Sequence, residues 1–215
     1  MTVRRCSPEA VLEAANDTAI MTWHRMINEQ RWVTFFIGLK VAPELAQQLA
    51  ELARALKSDE VRLVPSSDIH LTLVPPWTET HITDAVEKLR IAVCGIGRFL
   101  LGFEHLRYGP TLRHPHLLWA ECVPSGELVE LHTALLAAYG QMDPRPFRPH
   151  VTLARIPKNG RAIARKIPMD QGLSFSQYVT SVELFQSPAK ASSGYQVLTS
   201  LPLGAEPHPR LMEPA

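Results

Sequence analysis

The stretches HLTL (residues 70–73) and HVTL (residues 150–153) decide the fold, because each closes the same succession of elements. RWVTFFIGL (residues 31–39) is rich in aromatic and β-branched residues and predicts a strand, which a helical pattern separates from HLTL. HLLWAECV (residues 116–123) stands in the same relation to HVTL. A strand–helix–strand unit that occurs twice predicts a duplicated α+β fold with two similar lobes, with chance similarity of two α+β halves as the alternative.

Proline and serine set the expected ends of several elements. Pro43 opens a helix in which leucines recur at i, i+4, i+7 and i+11 and form one apolar stripe. Pro75 and Pro76 are expected to end the strand HLTLV, because proline cannot donate to a ladder. Ser125 is expected to cap a later helix. After a basic loop, SQYVTSVELFQS and GYQVLTSLPL predict a closing pair of strands.

The composition is that of a globular protein with no general affinity for polyanions. Of the 215 residues, 46% are hydrophobic, and 22 Lys and Arg stand against 21 Asp and Glu. Three scattered cysteines without a CxxC pattern argue against a disulfide framework and favour the cytoplasm. No apolar run is long enough for a transmembrane helix, and the N-terminus does not resemble a signal peptide.

The chain divides into three parts of different character. Residues 1–30 are interpreted as an N-terminal extension, because they hold one short helical pattern followed by polar residues. Residues 31–204 form the expected two-lobed domain, and residues 205–215 have no periodic pattern and form a C-terminal tail.

The repeated H-x-T pattern places an imidazole and a hydroxyl side by side. Successive side chains of a strand point to opposite faces, so His70 shares a face with Thr72, and His150 with Thr152. Cleavage of a phosphodiester needs one group to accept a proton and another to donate one, and histidine titrates near neutral pH. The threonine hydroxyls can hydrogen-bond the non-bridging phosphate oxygens. The two pairs therefore indicate phosphoryl chemistry.

The chain resembles the 2H phosphoesterase superfamily, and within it the RNA 2′,3′-cyclic phosphodiesterases, also called 2′-5′ RNA ligases. The resemblance spans about residues 31–203 and rests on WVTFFIGL, HLTL, PHLLW, PHVTLAR and GYQVLTSLPL. It implies two antiparallel β-sheets around a central cleft, with helices on the outer faces. One departure is Val74-Pro75-Pro76-Trp77, where many of these enzymes continue the first motif as Phe-Leu-Gly.

The resemblance also implies residue roles. His70 would be the proton donor and His150 the proton acceptor, with Thr72 and Thr152 on the phosphate. Arg155 matches an arginine that often follows the second motif. Strict alternation places this arginine on the face away from the histidines, so it joins the site only if the strand ends or twists there.

Further substrate contacts are expected from aromatic and basic residues. Phe36 and Trp77 are candidates for stacking a nucleobase, with core packing as the alternative for both. Seven basic residues and no acidic ones lie between Arg145 and Lys166, which indicates a local surface for an RNA end.

The expected function is metal-independent hydrolysis of a 2′,3′-cyclic phosphate at an RNA or nucleotide end to a 2′-phosphate, with reversible 2′-5′ ligation as a side activity. Other cyclic-nucleotide or 2′-5′ oligonucleotide substrates, a non-catalytic RNA-end binding module and a zinc protein are the alternatives. The motifs contain no Asp, Glu or Cys, which disfavours zinc. No cofactor, membrane or obligatory protein partner is expected, and the protein is expected to be a cytoplasmic monomer.

Overall fold

The fold is known from a computed structural model. It describes residues 33–56, 61–142, 145–156, 160–188 and 194–204. The expected extension and tail, residues 1–30 and 205–215, lie outside the described residues.

Strands and helices are mixed along the chain in the α+β manner that the sequence predicts. The helices are α1 (Pro43–Ala53), α2 (Ile82–Val93), α3 (Gly126–Ala138) and α4 (Gly160–Lys166). The strands are β1 (Val33–Lys40), β2 (Arg62–Leu63), β3 (His70–Glu79), β4 (Phe99–Thr111), β5 (His114–Cys122), β6 (His150–Arg155), β7 (Asp170–Val179), β8 (Ser181–Gln186) and β9 (Gln196–Pro202).

The strands pair in the order β7-β4-β5-β6-β3-β1-β8-β9, and β2 pairs with the end of β6. All these ladders are antiparallel. Four strands lie on each side of the β3–β6 contact, which is made through the pair Leu71 and Val151. The first and second H-x-T motifs therefore begin the two strands along which the halves of the sheet meet.

The core lies between one face of this sheet and the helices. Helix α1 begins at Pro43 and buries Leu45 and Leu49. Ser125 caps α3 as expected, since its Oγ accepts a hydrogen bond from the Leu128 N–H at 3.3 Å. The buried side chains from both halves form one cluster, so hydrophobic burial holds the two groups of strands to the same set of helices.

Three element predictions need correction. Strand β3 does not end at Pro75 and Pro76, because both prolines lie in a bulge opposite β1, where no ladder N–H is needed. The basic loop contains helix α4, whose short RAIARK pattern carried too little apolar periodicity to be recognised. The closing segment forms three strands, because Thr180 separates β7 from β8.

Among the described residues, no helix combines the length and the apolar character needed to cross a membrane.

Candidate active site

The two histidines lie diagonally across the line where β3 and β6 meet. Leu71 is paired with Val151, and both side chains are fully buried on the core face. On the opposite face of the sheet, His70 lies beside Thr152, and Thr72 lies beside His150. His70 and His150 are thus diagonal neighbours, a relation that sets Cα atoms about 7–8 Å apart. Both imidazoles therefore lie on the same face of the sheet, one on each of the two strands.

Each imidazole is hydrogen-bonded to the backbone carbonyl of the residue two positions before it. The Nδ1 of His70 lies 2.7 Å from the carbonyl oxygen of Asp68, and the Nδ1 of His150 lies 2.8 Å from that of Arg148. A carbonyl only accepts, so Nδ1 must carry the proton in both rings. In the neutral imidazole, Nε2 is then the unprotonated nitrogen and the one that exchanges protons with a ligand.

Aromatic rings surround His70. The centroid of its imidazole lies 4.7 Å from that of Phe36, 4.9 Å from that of Tyr195 and 5.4 Å from that of Phe185. Burial lowers the pKa of His70, whereas the hydrogen bond to the Asp68 carbonyl and the charge of Asp68 raise it. The charges of Arg155 and His150 lower the same pKa further. The lowered pKa favours the neutral form of this ring near pH 7.

His150 packs on one large ring. The centroid of Trp119 lies 4.2 Å from that of the imidazole, and Trp119 itself is 4% exposed. Burial lowers the pKa of His150, while the Arg148 carbonyl and the charge of Glu121 act in the opposite direction. A neutral His150 suits proton acceptance, and a phosphate anion between the rings would favour protonation of the other histidine.

A bulge in β6 turns Arg155 toward the histidines. Thr152 and Ala154 pair with consecutive residues of β5, so Leu153 is an extra residue between them. The alternation therefore shifts by one, and Arg155 shares the face of Thr152. Its charge contributes to lowering the pKa of His70, which agrees with this placement of the side chain.

The first motif has a bulge at the same position. On β3, Leu73 is the extra residue between two residues that pair with consecutive positions of β1. The Leu73 carbonyl accepts from Nδ1 of His132 at 2.9 Å, and the Leu153 carbonyl accepts from the Val64 N–H at 2.9 Å. The similarity of the two motifs therefore extends to the distorted backbone after each threonine. Pro75 holds the position that corresponds to Arg155, so this cation lies on one side only.

The two predicted stacking residues do not offer a face to a base. Phe36 is 2% exposed and lies parallel to Phe185 at 4.7 Å, so it supports the His70 ring instead. Trp77 pairs with the buried Phe35 and packs on Tyr139 at 4.9 Å, on the helix side of the sheet. Two bulges lie between Leu71 and Trp77 on β3, and because their shifts cancel, Trp77 returns to the core face.

The basic segment is solvent-exposed where the structure describes it. Lys158 lies outside the described residues, and the other six are exposed: Arg145, Arg148, Arg155, Arg161, Arg165 and Lys166. Of these, Arg155 lies on the histidine face, and the last three belong to α4. Within the described ranges, no group of three His, Cys, Asp or Glu side chains is placed to hold a metal ion.

The sequence interpretation missed three aromatic neighbours of the histidines. Trp119 could have been found from HLLWAEC, in which Leu118, Ala120 and Cys122 face the core and leave Trp119 on the opposite face. Phe185 and Tyr195 come from β8 and from the residue before β9, and no local pattern connects either of them with His70.

Comparison with known proteins agrees with this architecture. The structure resembles TT0787 of Thermus thermophilus, with a TM-score of 0.67 and 22% identity over 80% of this chain and 99% of that one. It also resembles E. coli LigT complexed with 3′-AMP, with a TM-score of 0.64 and 23% identity over the same shares. No protein with a curated description matches the sequence. A family model described as the 2′-5′ RNA ligase superfamily matches residues 40–186, more than half of the chain. The chain therefore belongs to the 2′-5′ RNA ligase superfamily of 2H phosphoesterases.

Proposed function

We propose that the protein is a phosphodiesterase that opens a 2′,3′-cyclic phosphate at an RNA or nucleotide end and leaves a 2′-phosphate. The observation that supports this best is the diagonal placement of His70 and His150, each with Nδ1 bonded to a carbonyl and Nε2 available. Superfamily membership indicates chemistry on phosphodiester bonds. That one structural neighbour was crystallised with 3′-AMP agrees with a nucleotide ligand.

The two imidazoles would divide the proton transfers. Nε2 of His150 accepts a proton from water as the water oxygen attacks phosphorus. The bond from phosphorus to the 3′-oxygen breaks, and the protonated Nε2 of His70 donates to that oxygen. The products are a free 3′-hydroxyl and a 2′-phosphate. The lowered pKa of His150 suits the base, while His70 acquires its proton when the anionic substrate binds beside it.

The remaining residues of the face would hold the phosphate. Thr72 and Thr152 flank the histidines and can donate hydroxyl hydrogen bonds to non-bridging oxygens. Arg155 supplies one cation, on the His70 side, where negative charge collects on the leaving oxygen. The preorganised donors stabilise the transition state more than the ground state, which is the condition for a gain in rate.

The same geometry supports 2′-5′ ligation as a side activity. If a 5′-hydroxyl replaces water at phosphorus, the same proton transfers break the bond to the 3′-oxygen and leave a 2′-5′ linkage. The basic residues around β6 and α4 would attract the RNA end in either direction.

Turnover of defined cyclic phosphates tests the proposal. The four nucleoside 2′,3′-cyclic phosphates and a short RNA with a cyclic end are incubated with the purified protein, and the products are identified against 2′- and 3′-phosphate standards. We expect 2′-phosphate products whose formation is slowed by about 10²- to 10⁴-fold in His70→Ala and is unchanged in His81→Ala, an exposed histidine outside the site. Absence of turnover of every substrate, or a 3′-phosphate product, would contradict the proposal.

A further inference from the structure

Strand β2 brings a second arginine to the end of β6. Arg62 is the direct partner of Arg155 in the β2–β6 ladder. The next pair is Leu63 with Ala154, of which Ala154 is fully buried and Leu63 packs against the same core. Because successive side chains of a strand point to opposite faces, both arginines lie on the face that carries the histidines. Both side chains are exposed and can be reached by a ligand.

This pairing of two like charges is unfavourable unless an anion binds to it. Directly opposite residues of an antiparallel pair have Cβ atoms about 4.5–5.5 Å apart, and like charges at this distance are destabilising. In the part of the chain that the structure describes, neither guanidinium is ion-paired with a carboxylate. The carboxylate of Asp68 instead accepts hydrogen bonds from the Ser67 hydroxyl and the Tyr195 N–H. Both cations are therefore available to an anionic ligand.

The arginine pair lies within reach of a nucleotide held at the histidines. Arg155 follows Thr152 by three residues, which is at most about 10 Å along the strand. Its charge also acts on the pKa of His70. In RNA, a single ribose separates the phosphate on the 2′- and 3′-oxygens from the phosphate on the 5′-oxygen. A substrate whose cyclic phosphate contacts the histidines can therefore bring its 5′-phosphate to the two arginines, whereas a nucleoside has no anionic group for them.

We propose that Arg62, together with Arg155, binds the phosphodiester on the 5′-oxygen of the terminal nucleotide and thereby selects RNA ends over free nucleoside cyclic phosphates. A guanidinium presents parallel N–H donors that match two phosphate oxygens at once, so two of them can enclose one phosphodiester. Arg155 also serves the cyclic phosphate, whereas Arg62 serves the 5′-phosphate alone. This inference rests on the proposed function and narrows its substrate class to the end of an RNA chain.

A comparison of two substrates tests this subsite separately from the chemistry. Cytidine 2′,3′-cyclic phosphate lacks the 5′-phosphate, whereas its 5′-methylphosphate ester presents an RNA-like diester without a second nucleoside. We expect wild-type kcat/KM to be about 5- to 20-fold higher for the ester, because charged hydrogen bonds are strong but exposed charges are screened by salt. Arg62→Met should lower this ratio toward unity. Lys88→Met, which removes an exposed positive charge from α2 on the helix side of the sheet, should leave the ratio unchanged.

Calorimetric titration with the two products measures the subsite without turnover. Cytidine 2′-phosphate that carries the 5′-methylphosphate should have a lower Kd than cytidine 2′-phosphate, and Arg62→Met should remove the difference. Equal wild-type kcat/KM and equal Kd within each pair would refute the subsite and leave the phosphodiesterase intact. An equal loss of kcat/KM on both substrates in Arg62→Met would also refute it, because Arg62 would then not act on the 5′-phosphate. Absence of turnover with a retained difference in Kd would contradict the proposed function and support the subsite.

Discussion

Replacement of Arg155 by methionine isolates the contribution of the one cation that the β6 bulge turns toward the histidines. The side chain is exposed at the end of the strand, and methionine keeps most of its length, so the fold should tolerate the change. The substitution removes a positive charge from the neighbourhood of His70 and leaves both imidazoles in place.

The expected loss follows from one charged hydrogen bond to the phosphate. Such a bond is worth about 1.5–3 kcal/mol, which corresponds to a decrease of about 10- to 150-fold in kcat/KM. The assay is steady-state hydrolysis of cytidine 2′,3′-cyclic phosphate, with circular dichroism to establish that the variant is folded. Arg161→Met is the matched control, because Arg161 is an exposed arginine of the same basic segment but belongs to α4.

The pH dependence gives a second readout that a merely structural role would not change. Arg155 lowers the pKa of His70, so its removal should raise that pKa. A proton donor with a higher pKa stays protonated to higher pH, and the alkaline limb of the kcat/KM profile should move upward. If Arg155→Met and Arg161→Met have the same kcat/KM and the same alkaline limb as wild type, Arg155 does not act at the phosphate.

Three further outcomes are expected. Burial lowers the pKa of His70 and of His150 from about 6.5, so the folded state binds fewer protons than the unfolded state as the pH falls through that value. The midpoint temperature of thermal unfolding should therefore drop between pH 7.5 and 5.5. It should drop less in the double variant His70→Gln/His150→Gln. Gly38→Ala places a Cβ 2.4 Å from the Leu71 carbonyl oxygen and should lower the free energy of unfolding in a urea titration by about 1–3 kcal/mol, whereas Gly172→Ala, with open space around it, should change it little. Hydrolysis should persist in EDTA because the two imidazoles supply both proton transfers, and loss of activity that zinc restores would favour a metal mechanism.

The sequence predicts the fold well because period-2 alternation and the residues that begin or end an element are local signals. Pro43 and Ser125 mark helix starts where the structure has them. That His70 shares a strand face with Thr72, and His150 with Thr152, follows from the alternation of side chains along a strand. These features need no knowledge of which strands are neighbours.

The bulges could not be predicted from alternation, because a bulge is a property of two paired strands. The extra residues Leu73 and Leu153 are recognisable only once β1 and β5 are known to be their partners. Without them Arg155 is assigned to the wrong face, and the prolines after Val74 are expected to end a strand that in fact continues to Glu79. Alternation along HLLWAEC places Trp119 on the histidine face, but its closeness to His150 follows only from the β5–β6 register.

The central claim is that His70 and His150 act together on one cyclic phosphate, and single-turnover kinetics of three variants tests it most directly. His70→Ala, His150→Ala and the double variant are compared with wild type on cytidine 2′,3′-cyclic phosphate, with His81→Ala as the control. Each single variant should lose about 10²- to 10⁴-fold in rate, because each removes one general catalyst. The double variant should lose less than the product of the two, since both groups serve one transition state. Folded single variants that hydrolyse the substrate at the wild-type rate would contradict the claim.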